Sequence, residues 1–182
     1  MEFTAEHHYD AEPAAVYAMF NDPQWWRTLV ERAGAESSRI TAQDATVDVH
    51  IELTTPQKAR PFAGDTLGLD QTFTWTPTDG GWDGTFRQGT AGKLPAASTG
   101  TATIRAGHGG TDVHYTGEFT VKIPVMGRKL EAMAAPYVTQ IIDLQPKGGT
   151  EGLAAHTGGV PWGPGPPRGR HRSPWWAGVS PQ

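Results

Sequence analysis

Four polar side chains fall on faces that the chain otherwise fills with apolar residues: His7, Tyr9, Gln71 and Tyr115. In "FTAEHHYD", Phe3, Ala5, His7 and Tyr9 alternate with Thr4, Glu6 and His8; in "LGLDQTFTWT", Gln71 shares a side with Leu67, Leu69, Phe73 and Trp75; in "TDVHYTGEFTVKI", Tyr115 lies with Val113, Phe119, Val121 and Ile123. A neutral imidazole donates, accepts or relays a proton near neutral pH, and a phenol or a carboxamide orients a ligand through hydrogen bonds. Two readings stand side by side. Either these groups satisfy one another inside the core, or they meet a ligand in a mostly apolar pocket. In the second, His7, Tyr9, Gln71 and Tyr115 are the polar contacts, and Val49, Ile51, Leu69, Phe73, Trp75, Phe119, Met133 and Tyr137 are the apolar lining.

Other chemistries find little support. Seven histidines and no cysteine invite a metal site, but His7 and His8 are neighbours on a strand and point to opposite faces, while His50 and His114 fall on the polar face without paired spacing. No serine sits at a strand-to-helix elbow, and no glycine-rich loop opens a helix as a phosphate cradle does. The carboxylates lie mostly on polar strand faces, so no acid and base converge on an interior. No catalytic residue, metal ligand or cofactor is assigned.

The elements that position these residues follow from periodicity. The alternation around His7 predicts a half-buried first strand. Pro13 suits the first turn of a helix carrying Val16, Tyr17 and Phe20 on one face. In "NDP", Asp22 caps a second helix entered through Pro23, with Trp25, Trp26, Leu29 and Val30 as its stripe; at least one of the two tryptophans is expected to pack inward. From Ser37 to Ile123 the period is two: Val47, Val49, Ile51 and Leu53 oppose Thr46, Asp48, His50 and Glu52, with turns near Asp44, at "TDGG" and at "GHGG". One covered and one wet face mean an antiparallel sheet of about seven strands. Leu130, Met133, Ala134, Tyr137, Ile141 and Leu144 then recur at spacings of three and four, a long helix interrupted or kinked at Pro136. An α+β arrangement buries all these faces: a curved antiparallel sheet around the C-terminal helix, with two short helices plugging one end.

The stretches "FTAEHHYDAEPAAVYAMFNDPQWW", "DTLGLDQTFTW" and "TGEFTVKIPVMGRKLEAMAAPYV" resemble the START-like, or SRPBCC, superfamily of helix-grip proteins over residues 1–144. The resemblance is closest to a domain-of-unknown-function branch from high-GC bacteria. It implies a deep apolar cavity between sheet and final helix, used across the superfamily for lipids, sterols, polyketides or other hydrophobic molecules and in some branches for protein contacts. It implies no shared chemistry.

Residues 145–182 differ in kind. Seven prolines and nine glycines fall in these 38 residues, a low-complexity composition, so the helix is expected to end near Pro146 and a disordered tail to follow. Its Gly, Pro, Arg, Trp and Ala mixture also fits GC-rich codons read out of frame, which translation of the other two frames after codon 140 checks. Lys147, Arg168, Arg170 and Arg172 against Glu151 give this segment a formal +3, leaving −7 for the rest of a chain of net charge −4. An acidic body is a poor partner for nucleic acid.

No apolar run reaches the roughly 20 residues that span a bilayer, and the start, with Glu2 and Glu6, lacks the pattern of a signal peptide. The expectation is a cytoplasmic, non-enzymatic domain that binds a hydrophobic small molecule, with no nucleic-acid partner and no integral membrane association. A polyketide cyclase or dehydratase-like enzyme using a His or Tyr in the same cavity is the alternative, and a domain that docks a protein partner is the third. Oligomeric state has no signature in the sequence.

Overall fold

The computed structural model describes residues 1–55, 57, 60–91, 95–124, 127–132, 145, 149 and 153, the side chain of Phe62 excepted. Its centre is one antiparallel sheet of seven strands: β1 (Glu2–Tyr9), β2 (Ser37–Gln43), β3 (Thr46–Thr54), β4 (Thr66–Thr78), β5 (Gly81–Ala91), β6 (Ala96–Gly107) and β7 (Gly110–Val121). Their order across the sheet is β1-β7-β6-β5-β4-β3-β2. Every neighbouring pair after β2 is joined in sequence, and β1 closes against β7. β1 and β2 therefore form opposite edges.

That order explains the two helices between them. The chain must cross the width of the sheet after β1, and α1 (Pro13–Phe20) and α2 (Pro23–Arg32) make the crossing. α1 lies on β5, β6 and β7, where Tyr17 stacks on Trp82 at 4.5 Å between ring centroids, and α2 lies on β2 and β3. The junction is sharp because Asp22 accepts a 2.8 Å hydrogen bond from the Gln24 amide while Pro23 needs no partner. Both Trp25 and Trp26 are buried, and the Trp26 indole N–H donates to the Phe20 carbonyl at 2.7 Å. The expectation of at least one inward ring is exceeded by one.

Alternation sorts the faces as the sequence predicted. Thr46, Thr74, Thr85, Thr101, Thr116 and Thr4 pair in one row across six adjacent strands of the outer face, where β-branched residues suit an exposed ladder. The tight turns use Asp44 at φ 54° and Gly80 and Gly109 at φ 88° and 81°, the left-handed conformation that two-residue hairpins favour. On the inner face Gly100 and Gly117 pair directly; a Cβ on Gly100 would stand 2.5 Å from Cζ of Phe86, so the missing side chain makes room for that ring.

The main core lies between the two short helices and the sheet: Val16, Met19 and Phe20, the α2 stripe, and Val47, Val49, Phe73, Trp75, Phe86, Ala102, Ile104, Val113 and Tyr115. A smaller cluster of Ala96, Val121 and Leu130, flanked by Phe119 and Ile123, occupies the opposite end. A four-residue helix, α3 (Arg60–Ala63), absent from the periodicity reading, joins β3 to β4.

Residues 127–132 are helical, where the third helical pattern begins. Met133 and Tyr137 lie outside the described residues, as does Pro136. Gln145, Gly149 and Leu153 are each helical and buried. Packing therefore continues past Leu144, the end expected from composition. Among the described residues no helix is long and apolar enough to cross a membrane.

Candidate functional site

Three of the four polar candidates meet. His7 and Tyr9 on β1 share the inner face with Tyr115 on β7, because Ala5 pairs with Tyr115 and His7 with Val113. The His7 ring stands 5.3 Å from that of Tyr115 and 6.4 Å from that of Tyr9. All three are buried. Tyr115 donates to Oε1 of Gln145 at 2.7 Å, which ties β7 to the C-terminal helical residues. Tyr9 packs edge-on against Phe20 and lies under Gly149.

Burial pushes the Tyr9 phenol upward, and burial reinforced by Tyr9 pushes Tyr115 well above the usual tyrosine range. Both remain neutral phenols at physiological pH.

The other predicted residues divide by position. Phe73 and Trp75 stack at 6.2 Å and meet Trp26 and Phe20 at 5.4 and 5.7 Å, so with Val49 they belong to the packed core beneath α1 and α2. Ile51 packs partly buried at its margin, and Leu69 is buried apart from both clusters. Gln71 is half-buried. Phe119 lies with the smaller cluster at the far end.

Register adds two residues that periodicity did not single out. Gln71 pairs with Gln88 on β5, Gln88 with Ser98 on β6, and Ser98 with Phe119 on β7. Three uncharged polar side chains thus stand side by side across three central strands, between the two apolar clusters. Gln88 lies on the same side as Phe86 in "GTFRQG", so its parity was legible; its neighbours were not, because the pairing of weak strands is set by turns and register.

The outer face carries different chemistry. Asp112 accepts from His8 at 2.6 Å and Asp70 from His50 at 2.7 Å, while His114 lies 3.7 Å from Glu6. Among the described residues no three His, Cys, Asp or Glu groups are placed to hold a metal. A hollow of about 450 Å³ lies against Thr72, Thr74, Thr85, Arg87 and Thr99. Thr72 and Thr74 already bond across strands to Asp48 and Thr46, and these outward-facing polar side chains are unlike the mostly apolar lining of a ligand site.

Comparison with known proteins completes the description. A family model described as a protein of unknown function (DUF2505) matches residues 4–151. No curated protein matches the chain in sequence. Among solved structures, TTHA0849 from Thermus thermophilus is similar at a TM-score of 0.62 and 19% identity, covering 85% of this chain and 98% of that one. A STAR-related lipid transfer protein fragment from Xanthomonas axonopodis aligns at 0.52 and 20% identity, covering 85% and 84%. Ara h 8.0201 aligns at 0.53 and 12% identity, covering 83% and 98%. At such identities the likeness concerns architecture, and the architecture is the α+β helix-grip fold.

Proposed function

From the premise that the chain belongs to the DUF2505 family of proteins of unknown function, we propose that it binds a hydrophobic small molecule, lipid- or polyketide-like, between the inner face of its sheet and its C-terminal helical residues, without transforming it. The observation that carries this reading is the uncharged polar row on the inner face of the sheet, set between the main core and the smaller cluster that the described residues form at its other end. The span between them presents Leu69, Gln71, Gln88 and Ser98. The lipid transfer named for the Xanthomonas neighbour and the fold it shares with this chain point the same way.

In this reading affinity comes from apolar burial at about 25 cal/mol per Å², and polar groups orient the ligand. The protein acts in the cytoplasm of a high-GC bacterium, the source suggested by the resemblance over residues 1–144, and has no nucleic-acid partner. The proximity of His7 to Tyr115 favours a cyclase- or dehydratase-like enzyme as the second reading. Against it, the Tyr115 hydroxyl is already engaged with Gln145 and its phenol holds its proton tightly.

Native mass spectrometry of the full chain purified from its own host tests the binding. An apolar small molecule retained in the gas phase and released on denaturation is the expected result. A protein that carries no such mass and takes up no Nile red from solution overturns it.

A further inference from the structure

The inner face has a property that goes beyond being apolar: among its described residues none is an Asp, Glu, Lys or Arg. Antiparallel pairing places each charged strand residue outward, from Glu2 and Glu6 on β1 through Asp48, Asp70, Asp83 and Arg87 to Asp112 and Glu118. Against this uncharged background the row Gln71, Gln88, Ser98 stands out. It is flanked in register by Val49 on one side and Phe119 on the other. The next row along one direction holds Phe73 and Phe86, and along the other Leu69 and Thr90. The Thr90 hydroxyl bonds to the backbone of Ala96 on both sides, accepting from its amide at 3.1 Å and donating to its carbonyl at 3.3 Å.

Ser98 differs from Thr90. Its residue is only 4% exposed and its hydroxyl has no hydrogen-bond partner among the described residues. A buried hydroxyl left unpaired costs folding free energy, and such a group calls for an explanation, of which a bound molecule is one. Two carboxamides beside it supply donors and acceptors of the same uncharged kind.

Resting on the binding reading above, we infer that the ligand is an electrically neutral apolar molecule with a carbonyl or hydroxyl oxygen part-way along its length, seated on Gln71, Gln88 and Ser98. A carboxylate or phosphate in that place meets no cation among the described residues of the inner face, and burying an unpaired charge is far more costly than burying a ketone or an alcohol. A purely hydrocarbon ligand leaves the Ser98 hydroxyl without a partner and takes water away from the two half-buried amides. The polar row thus selects for the middle of the molecule, and the apolar clusters on either side receive its ends.

The test uses displacement of bound Nile red from the full chain by four probes: 7-tridecanone, 7-tridecanol, n-tridecane and tridecanoate. The ketone and the alcohol are expected to bind at least tenfold more tightly than the hydrocarbon and than the carboxylate at pH 8. In Gln71→Leu/Gln88→Leu, and separately in the conservative Ser98→Ala, the preference for ketone over hydrocarbon shrinks towards parity while Nile red itself still binds. Tridecanoate binding as tightly as the ketone overturns the inference and leaves the carrier reading standing. So does a ketone preference unchanged in both variants, since the oxygen is then held elsewhere. Failure of the wild-type chain to take up Nile red overturns the carrier reading and the inference with it.

Discussion

The Tyr115 hydroxyl donates a 2.7 Å hydrogen bond to Oε1 of Gln145, a buried link between the centre of β7 and the C-terminal helical residues. Both side chains are almost wholly buried, so neither exchanges its partner for water. Tyr115→Phe keeps the ring packing against His7 and Phe86 and strands the Gln145 carbonyl oxygen. Loss of about 1–3 kcal/mol is expected in urea unfolding, the cost of a buried acceptor left unmade. A double variant that also carries Gln145→Leu should recover part of it, because both partners are then apolar.

Gly149 makes a second such link by having no side chain. A Cβ there would lie 2.4 Å from Cε1 of Tyr9, far inside contact distance. On an isolated helix Gly149→Ala is worth roughly 1 kcal/mol in favour of folding; here overpacking against a buried ring wins, and a net loss of about 1–3 kcal/mol is expected. Thermal unfolding of Gly149→Ala decides the sign. Adding Tyr9→Leu should relieve the clash and return part of the loss, which distinguishes steric conflict from a general intolerance of the position.

These two contacts also mark where sequence reading succeeds and where it stops. The strands around His7, Gln71 and Tyr115 were legible because a period of two leaves one face apolar, and α1 and α2 because Pro13 and the Asp22–Pro23 pair announce their starts. The fold followed, since few arrangements bury all those faces. Gln88 and Ser98 were missed as a group: side-by-side placement depends on register across β4, β5 and β6, and no single strand encodes it. Gln145, Gly149 and Leu153 were set aside with a segment rich in glycine and proline. Composition averaged over 38 residues hides three buried helical positions, and a glycine that reads as a breaker is, at Gly149, a close approach to Tyr9. Phe73 and Trp75, placed as pocket lining from their parity alone, pack beneath α1 and α2 because the inner face serves both the core and the proposed site.

On the outer face, His8 titrates higher than the ordinary 6.5, first because its ring hydrogen-bonds to Asp112 and further through Asp10. A folded-state pKa above the unfolded one means that protonation favours the native state. The contribution is fully present below about pH 6.5 and is lost as pH rises through the folded value. In Asp112→Asn the His8 titration, followed by its imidazole NMR shifts, is expected to move down towards 6.5. A midpoint unmoved by that substitution shows that the 2.6 Å contact does not set it.

His7 is where binding and catalysis part company. It is the one histidine on the inner face of β1, buried beside two tyrosines whose phenols stay protonated, so among the described residues of this interior its imidazole is the group suited to relay a proton. A group that only contacts a ligand contributes one hydrogen bond, and its removal weakens binding by about 0.5–1.5 kcal/mol, less than or near tenfold. A general acid or base typically contributes a hundredfold or more to turnover. His7→Gln retains hydrogen-bonding capacity at similar bulk and cannot shuttle a proton at neutral pH. With the molecule that co-purifies with the chain as probe, His7→Gln is expected to bind within tenfold of wild type, and mass spectrometry after prolonged incubation should return that molecule unchanged from both proteins. Conversion by the wild type that His7→Gln abolishes, with affinity intact, would establish the cyclase- or dehydratase-like reading instead.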